Sequence, residues 1–242
     1  MKALIVLILL VIPVLGIAQF PFEKYPRIVY DAYPVSSGYD EADTSFNSRS
    51  TFIDRFKGDT LSLAMFGNRD ADSSNIFVYR NNKLIQAIVD EVEFTPLTVS
   101  DSIFVGDINT DRMMDVKILC SNPGCGLAAA LVRKIYLIGK ADGSFSKYSF
   151  MDFSQECERD FDGDGNFEII GVDHVYYNSH SYWVYDLFSL KGNVFRNVSF
   201  DYNYPIMIQY LFRKNYFITD HVSRDKMRDF SVVLPRWYDE RK

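Results

Sequence analysis

The sequence predicts an all-β fold, and three observations support that prediction. Aromatic residues make up 16% of the 242 residues, and aromatic and β-branched side chains favour pleated sheet over helix. Apolar and polar residues alternate in residues 61–66, as in a strand with one buried face. No segment has a sustained helical period. A chain of this length also buries a core without needing disulfide bonds.

The first eighteen residues have the pattern of a cleaved signal peptide. Lys2 supplies a positive start, residues 3–15 are almost entirely apolar, and small residues precede Gln19. The apolar run is shorter than the roughly 20 residues that a membrane-spanning helix needs, although a retained anchor is the alternative. We therefore expect an exported protein, periplasmic or extracellular, without stable membrane insertion after cleavage of residues 1–18.

Residues 19–57 predict an irregular N-terminal lead-in with one or two short strands. Three prolines, Pro21, Pro26 and Pro34, are followed by a polar stretch at 36–50. Prolines lack the N–H that a strand ladder needs, so this composition favours loops.

Strands and turns then alternate along the rest of the chain. Asn81-Asn82 predicts a tight hairpin turn, because asparagine tolerates the left-handed backbone that such turns require. Residues 127–132 can form either a helical turn or a strand. The predicted strands cover 61–66, 76–80, 83–85, 116–119, 134–138, 167–170 and 181–188.

The three cysteines fall within 38 residues of one another. An oxidising compartment permits disulfides, and Cys120 and Cys125 bracket a turn-forming tetrapeptide, so they can form a short bridge. Pairing of Cys120 with Cys157 is the alternative. No cysteine pair has the spacing of a zinc site.

Two acidic nine-residue loops, at 107–115 and 160–168, carry the functional signal. Each places oxygen-bearing side chains at its positions 1, 3, 5 and 9, and position 7 can add its backbone carbonyl. A hard cation such as Ca²⁺ binds several oxygens at about 2.3–2.6 Å, which a curled acidic loop can supply. The predicted ligands are Asp107, Asn109, Asp111, Met113 and Asp115 in the first loop, and Asp160, Asp162, Asp164, Asn166 and Glu168 in the second.

The EF-hand is the obvious alternative, and the spacing argues against it. An EF-hand loop needs a glutamate at position 12 and a helix on each side. Position 12 is Ile118 in the first loop and Gly171 in the second, and both loops lead into apolar, strand-like segments. The acidic side chain at position 9 therefore indicates a different calcium loop.

Loops of the form D-x-[DN]-x-D-x-x-x-[DE] that enter a strand resemble those of FG-GAP and VCBS repeats. The second loop departs from the usual family sequence only in having Glu168, in place of an aspartate, as its last residue. The first loop departs at Arg112, where the family usually has glycine. The resemblance assigns the metal-binding positions to Asp107, Asn109, Asp111 and Asp115, and to Asp160, Asp162, Asp164 and Glu168.

The resemblance implies antiparallel sheets arranged as a small or incomplete β-propeller-like repeat fold. The loops begin 53 residues apart, about one blade, and a similar step back reaches Asp59, which has no acidic loop. The repeat region would thus span 58–200, with two good units and one degenerate unit. Residues 201–242 are expected to form C-terminal strands that pack on it.

The expected function is that of an exported calcium-binding β-repeat protein without enzymatic activity. Calcium would be structural, and the protein would bind an unidentified protein or glycan partner, as an envelope inhibitor, an immunity-type protein or an adhesion protein. A sequence pI of about 5.1 argues against a nucleic-acid partner. No catalytic residue, no organic cofactor and no nucleophile or phosphate-binding motif is identified. The alternative is a secreted hydrolase or carbohydrate-acting enzyme that uses a carboxylate site without a recognised motif.

Overall fold

The computed structural model describes residues 20–40, 45–68, 73–90, 95–98, 102–121, 126–210 and 216–241. These residues form an all-β fold of three antiparallel sheets with one short helix, α1 (Arg224–Met227), so the predicted fold class is confirmed at that level. The strands are β1 (Asp31–Pro34), β2 (Ser36–Asp40), β3 (Ser45–Ile53), β4 (Thr60–Asn68), β5 (Ser74–Arg80), β6 (Lys83–Asp90), β7 (Thr95–Thr98), β8 (Ser102–Gly106), β9 (Asp115–Ser121), β10 (Val132–Gly139), β11 (Phe145–Asp152), β12 (Ile169–Tyr177), β13 (His180–Ser189), β14 (Arg196–Asn197), β15 (Ile206–Gln209) and β16 (Asp239–Arg241).

The first sheet is a meander in which β2, β3, β4, β5 and β6 follow one another in sequence order. The predicted hairpin at Asn81-Asn82 joins β5 to β6, and both asparagines have positive φ angles of 48° and 64°. Alternate residues of β4, such as Leu61 and Leu63, are buried in the core. The inner face of this sheet therefore packs on the next one.

The second sheet lies between the other two. Its strand order is β1-β8-β9-β10-β11-β16, with β7 also paired to β9. Ile118 and Ile135 pack with the first sheet, whereas Tyr136 and Phe150 pack with Ile169 of the third. Every residue of β10 and β11 is buried, because neighbours cover both faces of this sheet.

The third sheet pairs β12 with β13, and β13 in turn pairs with β14 and β15. Residues from the start of the described chain cover one of its faces, where Phe22 is fully buried against Tyr185. On the other face, Met227 of α1 packs against Val184 and Met207. Segments near both ends of the described chain therefore cover the two faces of this sheet.

The prediction for the N-terminal segment needs correction. The segment 19–57 is not mainly irregular, because β1, β2 and β3 form between Asp31 and Ile53. Their partners lie further along the chain, and β1 pairs with β8. In the described part of 201–242 the strands are β15 and β16, and α1 packs on the third sheet through Met227.

The segment 127–132 resolves as neither alternative alone. Residues Gly126–Ala130 form a 3-10 helix, and β10 begins at Val132. Cys120 and Cys157 are free thiols, so they are not bonded to each other, and Cys125 lies outside the described residues. The predicted signal peptide also lies outside them. Among the residues that the structure describes, no helix is long and apolar enough to cross a bilayer.

Candidate metal loops

Both predicted loops join two paired segments in the same register. The first loop follows β8, and Gly106 before it pairs with Asp115 at its ninth position. The second loop lies between Arg159 and β12, and Arg159 pairs with Glu168 at the ninth position. In each case the ladder closes the loop at its base and fixes where the acidic side chains begin.

The aspartate at position 1 accepts a hydrogen bond from the backbone N–H of position 6 in both loops. Asp107 Oδ2 accepts a hydrogen bond of 3.1 Å from the backbone N–H of Arg112, at position 6. Asp160 Oδ2 accepts the equivalent bond of 3.0 Å from Gly165, also at position 6. The chain therefore curls around the first carboxylate in both loops.

The aspartate at position 5 repeats the correspondence. Asp111 Oδ1 accepts from the backbone N–H of Met113 at 2.8 Å, and Asp164 Oδ1 accepts from that of Asn166 at 2.8 Å. Met113 and Asn166 are the position-7 residues predicted to offer a carbonyl. The bonds at positions 1 and 5 hold the two loops in the same local conformation.

Positions 4 and 6 have left-handed backbone in both loops. The φ angles are 53° at Thr110 and 64° at Arg112, compared with 81° at Gly163 and 87° at Gly165. Glycine adopts this region without a steric penalty, whereas a residue with a Cβ does not. The first loop therefore adopts the turn under strain that the second loop avoids.

The acidic residue at position 9 lies beneath each loop and holds its second residue. Asp115 Oδ2 accepts from the backbone N–H of Ile108 at 2.7 Å, and its Oδ1 accepts from Gly139 at 2.9 Å. Glu168 Oε2 accepts from the backbone N–H of Phe161 at 3.1 Å. Both carboxylates tie the loop to the adjoining sheet.

Burial makes both of these acids hard to ionise. It raises the pKa of Asp115 to about 8, although the N–H groups of Ile108 and Gly139 partly oppose the shift. Burial likewise raises the pKa of Glu168 to about 7, with a further contribution from the charge of Asp162. Added positive charge at either loop would favour the ionised forms.

Three carboxylates of the second loop converge. Asp160, Asp162 and Asp164 each have an oxygen within 4.8 Å of the others. Two oxygens that share one Ca²⁺ at about 2.3–2.6 Å can lie at most about 5 Å apart, so the spacing fits a single ion. The donors are all carboxylate oxygens, which suit calcium or another hard cation.

The first loop has a weaker donor set. Asn109 takes the place of an aspartate, and its Nδ2 donates to Asp111 Oδ2 at 2.9 Å and to Asn193 Oδ1 at 2.7 Å. In the part of the chain that is described, only the second loop gathers three acidic side chains closely enough for one ion.

Two side chains that are distant in the sequence contact the second loop, and the sequence pattern predicts neither contact. Lys191 Nζ lies 2.6 Å from Asp164 Oδ2, and this hydrogen bond lowers the pKa of Asp164 to about 2. The hydroxyl of Tyr202 donates to Asp162 Oδ2 at 3.0 Å. Neither residue lies in a motif, so these two contacts are visible only in the folded structure.

The degenerate unit predicted at Asp59 contains an arginine between two acids. Arg80 Nη1 lies 2.8 Å from Asp59 Oδ2 and 3.2 Å from Asp54 Oδ2. The hydrogen bond from Arg80 lowers the pKa of Asp59. At this turn the guanidinium of Arg80 provides the positive charge between the two carboxylates.

The second sheet also contains buried ion pairs that the sequence pattern did not indicate. Lys117 Nζ lies 2.7 Å from Glu158 Oε1, and both side chains are almost fully buried. Similar pairs join Arg133 to Asp90 at 2.7 Å and Lys134 to Asp152 at 2.7 Å. Each of these three buried carboxylates is thus matched by a buried cation.

No protein-family model, no curated protein and no solved structure matches this chain. The resemblance to FG-GAP and VCBS repeats stays a prediction from the acidic pattern of the two loops and the way each loop enters a strand.

Proposed function

We propose that the chain is an exported calcium-binding β-repeat protein of the FG-GAP/VCBS type, in which calcium is structural. In this proposal the folded protein acts as a binding module for a protein or a glycan rather than as an enzyme. The three packed antiparallel sheets would be blade-like units of a small or incomplete propeller.

The observation that carries this proposal is the correspondence between the two loops. Position 6 donates to the aspartate at position 1, and position 7 donates to the aspartate at position 5. The residue before each loop pairs with its ninth residue. Two loops that bind the same kind of ion would share this geometry.

A bound cation would stabilise the fold through the charges of the loop. Asp160, Asp162 and Asp164 lie close together, and their mutual repulsion favours an open loop. An ion that binds only the folded loop adds stability by mass action, about 2.7 kcal/mol when its concentration is 100 times the dissociation constant. Because Arg159 pairs with Glu168 at the base of the loop, ordering of the loop would also stabilise the start of β12.

Three buried carboxylates outside the loops are poorly placed to act as catalytic acids or bases. Asp90, Asp152 and Glu158 are shielded from solvent, and each pairs with a buried lysine or arginine. A general acid or base must reach a substrate proton, which these three side chains cannot do from the interior.

The test is thermal unfolding of the metal-stripped protein with and without added Ca²⁺. We expect Ca²⁺ to raise the melting temperature and EDTA to return it to the stripped value. An unchanged melting temperature after verified removal of metal would refute the structural role of calcium.

Tyr202 offers a site-specific readout of the same claim. Because its hydroxyl contacts Asp162, Tb³⁺ bound in the second loop should show luminescence excited through this ring. The Tyr202→Phe variant should lose most of that signal, whereas Tyr176→Phe, at an exposed tyrosine of the third sheet, should keep it. An equal signal from both variants would place the ion elsewhere.

A further inference from the structure

The outer face of the first sheet carries aromatic side chains although it faces solvent. Along β3 and β4 the inward residues join the core, whereas Arg49 and Phe66 point away from it and are exposed. Phe66 is 44% exposed and packs edge-on against Phe77 of β5, with ring centroids 5.6 Å apart. An antiparallel sheet usually presents polar residues to water, so these outward rings call for an explanation.

Arg49 and Phe66 border an open trough of about 760 Å³ that runs across the sheet. Its size falls within the roughly 300–1,000 Å³ of small-ligand sites. Strands in a sheet lie about 4.8 Å apart, so a trough from β2 to β5 is about 14 Å wide, enough for a short chain of sugar rings. The side chains used in the argument below are Asn47, Arg49, Phe66, Tyr79 and Asn82.

The side chain of Arg49 is positioned so that it can bind an anion. Its guanidinium lies over the ring of Tyr79, 5.9 Å from the centroid. A guanidinium stacked on a ring keeps its N–H donors available for a carboxylate. Arg49 forms no ion pair with any described residue, and the described residues that line the trough include no aspartate or glutamate. Among the described residues that line the trough, Arg49 is therefore the charged side chain, and it is positive on a chain whose net charge is −6.

We propose that this trough binds a short oligosaccharide that carries a carboxylate. Aromatic rings such as Phe66 and Tyr79 pack against the C–H faces of sugars, and Asn47 and Asn82 offer both donors and acceptors to hydroxyls. Arg49 supplies the charge-assisted hydrogen bonds that a uronate needs. The inference rests on the binding role proposed above and identifies its ligand class, but it does not require calcium.

A protein partner fits the trough less well. Protein interfaces are centred on aromatic or aliphatic anchors that enter deep, dry pockets. The trough is open and lined by polar side chains between its rings, which suits a hydrated, hydroxyl-rich ligand.

The test is calorimetric titration with three acidic probes: tri-galacturonate, tri-mannuronate and a hyaluronan tetrasaccharide. Maltotriose serves as the neutral comparison. Each titration is run in Ca²⁺ and again in EDTA below the melting temperature, so that loss of metal and loss of glycan binding are measured separately.

Two variants remove the trough contacts, and two matched variants control for them. Arg49→Gln removes the charge, and Arg196→Gln makes the same change at an exposed arginine of the third sheet. Tyr79→Ala removes the stacking ring, and Tyr176→Ala removes an exposed ring elsewhere. Thermal melting shows that each variant is folded before titration.

We expect at least one acidic probe to bind and Arg49→Gln to weaken it about tenfold, since a charge-assisted hydrogen bond contributes that much. Tyr79→Ala should weaken it comparably, and both control variants should bind like the wild type. Failure of all three acidic probes, equal binding of maltotriose, or insensitivity to Arg49→Gln would each overturn the inference. A missing calcium response with intact glycan binding would count only against the calcium proposal.

Discussion

The backbone N–H of Phe167, at the end of the second loop, donates to the carbonyl of Ile108 in the first loop at 3.0 Å. Beside it, the hydroxyl of Thr110 donates to Asn166 Oδ1 at 3.2 Å. Two hydrogen bonds thus join loops that are far apart in the chain, and the ordering of one loop limits the freedom of the other.

The two loops should contribute unequally to stability in calcium. Asp162→Ala removes a carboxylate from the three-acid cluster, whereas Asn109→Ala removes a neutral donor from the weaker set. At a Ca²⁺ concentration about 100 times the dissociation constant, we expect Asp162→Ala to lose about 2–3 kcal/mol and Asn109→Ala about 1 kcal/mol. Urea unfolding measures both, and equal losses would contradict the ranking of the loops.

Arg112→Gly should improve the first loop. Arg112 has a φ of 64°, where a Cβ costs about 1–2 kcal/mol, and glycine removes that strain at the price of a more flexible unfolded chain. We expect a net gain of up to about 1 kcal/mol and tighter Ca²⁺ binding by this loop. Arg112→Ala is the matched control, because it removes the charge and keeps the strain. A gain of equal size in Arg112→Ala would assign the effect to charge.

Lys191→Met should strengthen calcium binding by the second loop. Lys191 pairs with Asp164 and competes with an ion for that carboxylate. Because exposed ion pairs contribute about 0.2–1 kcal/mol, the affinity should rise about two- to fivefold, as measured by Tb³⁺ or Ca²⁺ titration. Lys226→Met is the control, since Lys226 forms a similar exposed pair with Asp229. A weaker affinity in Lys191→Met would show that the lysine supports the site.

Glu158→Gln should destabilise the protein strongly at neutral pH. It leaves Lys117 charged and buried, and removal of one partner of a buried pair costs about 3–5 kcal/mol. Changing both residues, Lys117→Met with Glu158→Leu, should be less damaging because no charge is stranded. A double variant less stable than Glu158→Gln would contradict this account of the pair.

The effect of Glu158→Gln should also depend on pH. Burial opposes ionisation of Glu158, but the charge and hydrogen bond of Lys117 outweigh it, so its pKa lies below the usual value of 4.5. A lowered folded-state pKa adds stability above the unfolded pKa, and this stability disappears as the pH falls through the folded pKa. The difference in melting temperature between wild type and Glu158→Gln should therefore narrow below about pH 4.5. A constant difference between pH 7 and pH 3 would argue against an ionised Glu158.

Local patterns predicted the elements whose cause is local. The alternation at 61–66 became β4, and Asn81-Asn82 became a two-residue hairpin turn. The glycines of the second loop, Gly163 and Gly165, occupy the two left-handed positions of the turn. In each case a few neighbouring residues set the backbone conformation.

Other features escaped prediction because their partners are distant. The hairpin at Asn178-Ser179 has the same left-handed turn as Asn81-Asn82, yet serine gives no comparable turn signal. β1 lies in a proline-containing segment, and it forms because it pairs with β8. Strand pairing of this kind depends on the whole sheet, not on the propensity of one segment.

The sequence by itself determined the β class and the acidic, curled form of the two loops, because side-chain alternation and closely spaced carboxylates act over a few residues. Only the tertiary structure decided that Lys117 and Lys147 are buried, because the second sheet is covered on both faces. Their buried charges are balanced by ion pairs with Glu158 and Asp90. The tertiary structure also brought Lys191 and Tyr202 to the second loop, since such contacts follow from the order in which strands pair and sheets pack.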